Sequence, residues 1–144
     1  MSTDSVPHIR VVAAVIEKRG RLLITRRRAD DSLGGMWEFP TGEVEENESD
    51  GAALRRELHK RVGVSIEVGE EIKHRSSCCD GYVVDLVLYK ARLMPGQKPY
   101  PIGVEDLRWV PVGELENYRF PDADQRTPQQ LLGIRRGARA LGTA

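Results

Sequence analysis

Between Gly42 and Val64 the sequence reads GEVEENESDGAALRRELHKRVGV. Leu54, Leu58 and Val62 recur at i, i+4 and i+8, which draws one apolar stripe along a helix and requires a core to bury it. Ser49 and Asp50 are both able to cap the start of that helix, and Gly63 suits the left-handed position just past its end. Glu57, Lys60 and Arg61 stand at i, i+3 and i+4, so they share an adjoining face. The helix is preceded by a glycine turn at Gly42, read as a position for positive φ, and by an acidic loop. A charged helix face beside a buried one, entered through an acidic loop, is the frame into which the other segments must fit.

Those other segments are mostly β. Ile9–Glu17 is an apolar run of the kind covered on both faces. Arg19-Gly20 marks a turn, and Arg21–Arg27 resumes as a second strand of a hairpin. Ala29–Gly35 reads as a polar loop, and Trp37-Glu38-Phe39 as a short strand ended by Pro40. Val64–Ser76 is a strand with an irregularity at Glu70-Glu71. Asp80-Gly81 is a hairpin signal, and Tyr82–Leu93 a long strand after it. Glu105–Val110 is a further strand, Val112–Tyr118 a short helix and Thr127–Leu141 a C-terminal helix. Residues 1–8 read as a loose tail and 9–144 as a single domain. Hairpins mixed with two main helices predict an α+β layer fold.

The chain has 144 residues, enough for one domain with a sizeable core. Its 22 basic and 22 acidic residues cancel, so net charge gives no argument for bulk nucleic-acid or anionic-membrane binding, and neither is expected. No apolar run approaches the length of a membrane span, and Met1–Pro7 lacks the pattern of a signal peptide. The only cysteines, Cys78 and Cys79, are adjacent, a poor arrangement for a disulfide, and a reducing cytoplasm is expected. His8, His59 and His74 show no ligand spacing.

The stretch from Gly42 resembles the Nudix box, G-x5-E-x7-R-E-U-x-E-E-x-G-U, where U is bulky and apolar. Gly42, Glu48, Arg56-Glu57-Leu58 and Gly63-Val64 match it in order. The segments ITRRR (Ile24–Arg28), MWEFPTG (Met36–Gly42) and YRFPDAD (Tyr118–Asp124) resemble the MutT-like branch, and the similarity runs over roughly residues 9–135. The resemblance implies an α/β/α sandwich with a mixed sheet, and a protein that binds a nucleoside triphosphate and hydrolyses it to the monophosphate and pyrophosphate. It also implies Mg²⁺ or Mn²⁺ held by helix carboxylates, and a monomer or homodimer. The alternative is a non-catalytic Nudix module acting as a nucleotide sensor or interaction domain. There are departures: Thr41 replaces a glycine usual before Gly42, and Lys60 and Arg61 fall where the box has two glutamates.

Cleaving a diphosphate link requires neutralised phosphate oxygens and an activated water, which hard divalent ions held by carboxylates supply. Here Glu57 remains and two cations join it, which repels such an ion. Three readings of Lys60 and Arg61 stay open. They form a solvated or self-paired helix face, with Glu57–Arg61 an i, i+4 ion pair. Or Glu48 and Glu105 rebuild a weaker metal site beside Glu57. Or Lys60 and Arg61 bind phosphates directly, where the metal stood. The resemblance further implies that Arg56 braces the loop through Glu48, that Arg26 contacts substrate, and that Asp124 reads the base. An ionised carboxylate accepts from cytosine or from an oxidised guanine alike. Asp124 as a helix cap is the competing reading. Trp37 and Phe39 are candidates to stack on a base, with core packing the competing reading.

Overall fold

A computed structural model describes residues 6–30, 34–79 and 81–120. Seven strands, one α-helix and one 3-10 helix follow in the order β1 (His8–Lys18), β2 (Arg21–Arg26), β3 (Trp37–Glu38), β4 (Thr41–Glu43), α1 (Asp50–Val62), β5 (Ile66–Cys79), β6 (Tyr82–Leu93), β7 (Asp106–Pro111) and the 3-10 helix Val112–Asn117. The expected C-terminal helix and Asp124 lie outside the described residues. Among the described residues no helix is long and apolar enough to cross a membrane.

The sheet is mixed, in the order β3-β2-β1-β6-β5, with β4 added on β1 and β7 on β2. β1 is its centre. It runs parallel to β6 from His8↔Val83 to Ile16↔Ala91, and antiparallel to β4 at Val11–Ala13. It meets β2 only at its end, where Arg19 and Gly20, both with positive φ, turn the chain as a hairpin loop requires. The irregularity expected at Glu70-Glu71 is present as register shifts in the β5–β6 ladder on either side of Glu71.

Alternation along β1 explains its apolar run. Val12, Ala14 and Ile16 enter one core with Leu54, Leu58 and Val62 of α1, while Ala13 and Val15 enter a second with Leu22, Ile24, Trp37 and Phe39. α1 begins where Ser49 caps it, the side chain accepting from the Ala52 N–H at 3.1 Å. It ends at Gly63 with φ of 70°. Asp50 does not cap. It takes a bidentate bond from Arg10 of β1, both contacts 2.7 Å, and a third from the Tyr89 hydroxyl of β6. That pairing pins the helix start to the sheet. The Arg10 guanidinium holds the Asp50 carboxyl below its usual range, while burial and the Asp50 charge push the Tyr89 phenol up.

Leu58 is fully buried between α1 and the sheet. Leu58→Ala is therefore expected to destabilise the fold by roughly 2–5 kcal/mol, read from the urea midpoint of unfolding.

Candidate active site

The site is built where β4 passes under α1. Gly42 has no positive φ, contrary to the expectation from sequence. Its lack of a side chain serves another purpose: a Cβ there would lie 2.0 Å from Cγ of Glu57. The glycine is a seat for the Glu57 side chain, which is 6 % exposed. With a side chain at position 42 the carboxylate would have to leave.

Both oxygens of Glu57 are engaged. Oε1 accepts from Nε of Arg61 at 2.6 Å, the i, i+4 pair, and Oε2 accepts from Nη1 of Arg56. Arg56 is the larger hub. Its Nε and Nη2 donate to the two oxygens of Glu48 at 2.8 and 2.9 Å, and Nη2 also reaches the Glu43 carbonyl at 2.9 Å. It thereby fastens the loop before α1 at two points. The bonds from Arg56 and from the Glu45 N–H hold Glu48 well below the ordinary carboxylate range, at about 2. The same carboxylates hold Arg56 above its ordinary value.

The remaining cation of the face is Lys60. It is exposed and makes no ion pair among the described residues. A cleft of about 510 Å³ opens beside it, lined by Arg56, Glu57, Lys60 and Arg61 of the helix and by Glu43, Glu45 and Glu46 of the segment before it, with Glu45 3.9 Å from the Arg56 guanidinium. Arg61 gives only Nε to Glu57. Its two terminal nitrogens bond to nothing among the described residues, and the side chain is 24 % exposed.

These residues do not fit a Mg²⁺ ion. Such an ion needs free carboxylate oxygens and near-octahedral geometry, and the one buried carboxylate of the helix face is saturated by two guanidiniums. Glu48 is committed to Arg56. Glu105 lies on a loop whose backbone ties two parts of the site together: its N–H donates to the Arg26 carbonyl at 2.9 Å, while Ile102 and Gly103 donate to the Arg61 carbonyl. Among the described residues no three His, Cys, Asp or Glu side chains gather as a metal site.

Arg26 is exposed at the end of β2, its Nε 3.3 Å from the Gly35 carbonyl. Trp37 and Phe39 are both buried in the second core. Trp37 stands edge-on to Tyr118 at 5.2 Å between centroids, and the Arg108 guanidinium covers its ring at 5.2 Å. Phe39 meets Phe120 at 5.6 Å.

Glu38 was not singled out from the sequence. It is 8 % exposed and takes a 2.8 Å bond from Nη1 of Arg27. Burial pushes its carboxyl up, opposed by Arg27, Arg61 and Thr41. The signal that would have found it is alternation. In Trp37-Glu38-Phe39 both aromatic rings enter the second core, so the residue between them points to the opposite face of the strand.

The Glu48–Arg56 tie gives the fold an acid-sensitive element. Because the folded carboxyl sits near 2 rather than its ordinary 4.5, its contribution is complete above about pH 5 and is lost as pH falls toward 2. Glu48→Gln is expected to flatten the pH dependence of the urea midpoint over that interval, leaving a variant less stable at neutral pH but no less stable near pH 2.

Four similarities to known proteins bear on this arrangement. The CTP pyrophosphohydrolase of Escherichia coli K12 is 40% identical over 78 residues, a match spanning 54% of this chain and 58% of that protein. The 8-oxo-dGTP diphosphatase of Buchnera aphidicola (subsp. Schizaphis graminum) is 28% identical over 123 residues, covering 84% of this chain and 91% of the relative. The solution structure of the E. coli ORF135 protein superposes with a TM-score of 0.76 at 30% identity, covering 93% of this chain and 92% of that one. The family model described as NUDIX domain matches residues 11–130. With its mixed α+β sheet, its capped box helix and that match over most of its length, the chain belongs to the Nudix family and is MutT-like.

Proposed function

We propose that this chain is a nucleotide pyrophosphohydrolase of the MutT type that binds a nucleoside triphosphate in the cleft beside α1 and turns it over slowly. One observation carries the reading: the helix wall of the cleft offers Lys60 and the two terminal nitrogens of Arg61, which bond to nothing among the described residues, while Glu57 is withdrawn behind Arg56 and Arg61. Guanidinium and ammonium groups suit phosphate oxygens. The carboxylates of Glu43 and Glu46, which also line the cleft, accept bonds from hydroxyl and amino groups, which suits a nucleotide with its phosphates toward Lys60 and Arg61. Relatives named for CTP and for 8-oxo-dGTP support a base presenting donors, the chemistry expected of Asp124. The product pair is the nucleoside monophosphate and pyrophosphate. A sensor or interaction module without turnover is the second reading, favoured only by the saturation of Glu57.

Pyrophosphate release from CTP, dCTP, dGTP and 8-oxo-dGTP, with Mg²⁺, with Mn²⁺ and with neither, tests this. The wild type is expected below the ordinary range of ~1–10³ s⁻¹. Lys60→Glu with Arg61→Glu restores three carboxylates at i, i+3 and i+4, and metal affinity and turnover are expected to rise together by about tenfold or more. Adding Glu57→Gln in that background should abolish the gain. Ordinary rates in the wild type would reject the slow-enzyme reading.

Asp124→Ala is expected to weaken nucleotide binding by roughly 1–3 kcal/mol, measured by calorimetry. Unchanged affinity for every nucleotide tested would remove Asp124 from the base site.

A further inference from the structure

Three carboxylates in and near the site are each bonded by a guanidinium. Glu38 is bonded by Arg27, Glu48 by Arg56 and Glu57 by Arg61. Two of these anions, Glu38 and Glu57, are buried, at 8 % and 4 % exposure. Neither is placed to move outward. Glu57 is wedged on Gly42, and Glu38 lies on a strand whose neighbours are both core aromatics. Buried carboxylates stay ionised only against nearby positive charge. Arg61 bonds Glu57 directly at 2.6 Å, and its positive charge opposes the upward push that burial gives the Glu38 carboxyl.

The charge count is specific about what Arg61 replaces. With Arg61 present the six side chains are neutral. With a glutamate there, as the family's box has, four carboxylates would face two guanidiniums. The surplus of two negative charges is the charge of one divalent cation.

We propose that Arg61 is a tethered counter-ion standing in for a divalent metal against the buried carboxylate of Glu57, so that polyphosphate enters the cleft as the free anion and is met by Lys60 and by the terminal Arg61 nitrogens, which bond to nothing among the described residues. The ligand half of the proposal rests on the nucleotide reading above. The counter-ion half does not.

Two measurements separate the halves. The first is thermal unfolding of ligand-free wild type, Arg61→Lys, Arg61→Gln and Arg61→Glu, each in EDTA, Mg²⁺ and Mn²⁺. Wild type and Arg61→Lys are expected to be indifferent to metal. Arg61→Glu is expected to melt lower in EDTA and to regain roughly 2–8 °C with Mn²⁺, and Arg61→Gln to regain less. If Arg61→Glu fails to fold, Arg61→Gln decides in its place. A wild type stabilised by metal as much as the variants would overturn the proposal, for a metal would then bind with Arg61 present and Arg61 would not be standing in for it. Variants that fold but ignore metal would overturn it too.

The second is calorimetric binding of inorganic pyrophosphate and CTP to the wild type, in EDTA and in Mg²⁺. Affinity in EDTA is expected to equal or exceed that in Mg²⁺, and a tenfold gain on adding Mg²⁺ would overturn the free-anion claim. If neither CTP nor pyrophosphate binds under either condition, the nucleotide reading fails, and the melting series still decides the counter-ion.

Discussion

The carboxylate of Glu57 is the point on which the site depends. A buried anion is tolerated only when hydrogen bonds and opposite charge replace the water it gave up. Arg56 and Arg61 supply both, one to each oxygen. Several local features follow from this. Position 42 must be a glycine because the Glu57 side chain fills the space where a Cβ would go. Arg56, once drawn in, has spare donors, and these fasten Glu48 and the Glu43 carbonyl. The loop before α1 is therefore held by the same guanidinium that neutralises the helix.

The replacement of two acidic positions by Lys60 and Arg61 is well accommodated by the helix itself. Both fall in the last turn of α1 with His59, where the carbonyl ends concentrate partial negative charge and cations are favoured. Loop residues Tyr100, Ile102 and Gly103 donate to the carbonyls of Val62 and Arg61 and close that end. The scaffold of the family survives while the electrostatics of its centre are inverted, because burial of Leu54, Leu58 and Val62 fixes the helix independently of what its charged face carries.

How much of this was legible in the sequence depends on whether the cause was local. The bounds of α1 were readable because a serine cap, a leucine stripe and a closing glycine all act within one helix. β6 was readable because an apolar run follows a turn signal. The Glu57–Arg61 pair was open from spacing alone. β4 was not, since Thr41–Glu43 carries no strand pattern and is a strand only because β1 offers it partners. The reason for Gly42 was misread for a similar cause: a turn explains a glycine locally, whereas the true neighbour is fifteen positions on and across the fold. Of the two residues able to cap α1, Ser49 and Asp50, local chemistry does not choose; Arg10 and Tyr89, distant in sequence, claim Asp50 as a cross-brace and leave the cap to Ser49.

The position of β1 also governs the order in which the molecule can be assembled. Its longest ladder is parallel and joins it to β6, with His8 opposite Val83, so the segment that forms the centre of the sheet must wait for one translated much later. Its contact with the neighbouring β2 is confined to the hairpin end. Parallel pairings between distant segments close large loops before they gain contacts, and they make folding slow. Until β6 arrives, a strand apolar on both sides is exposed, the kind of segment that associates with other unfinished chains. The two-sided burial that makes β1 the backbone of the finished fold makes it the hazard of the unfinished one.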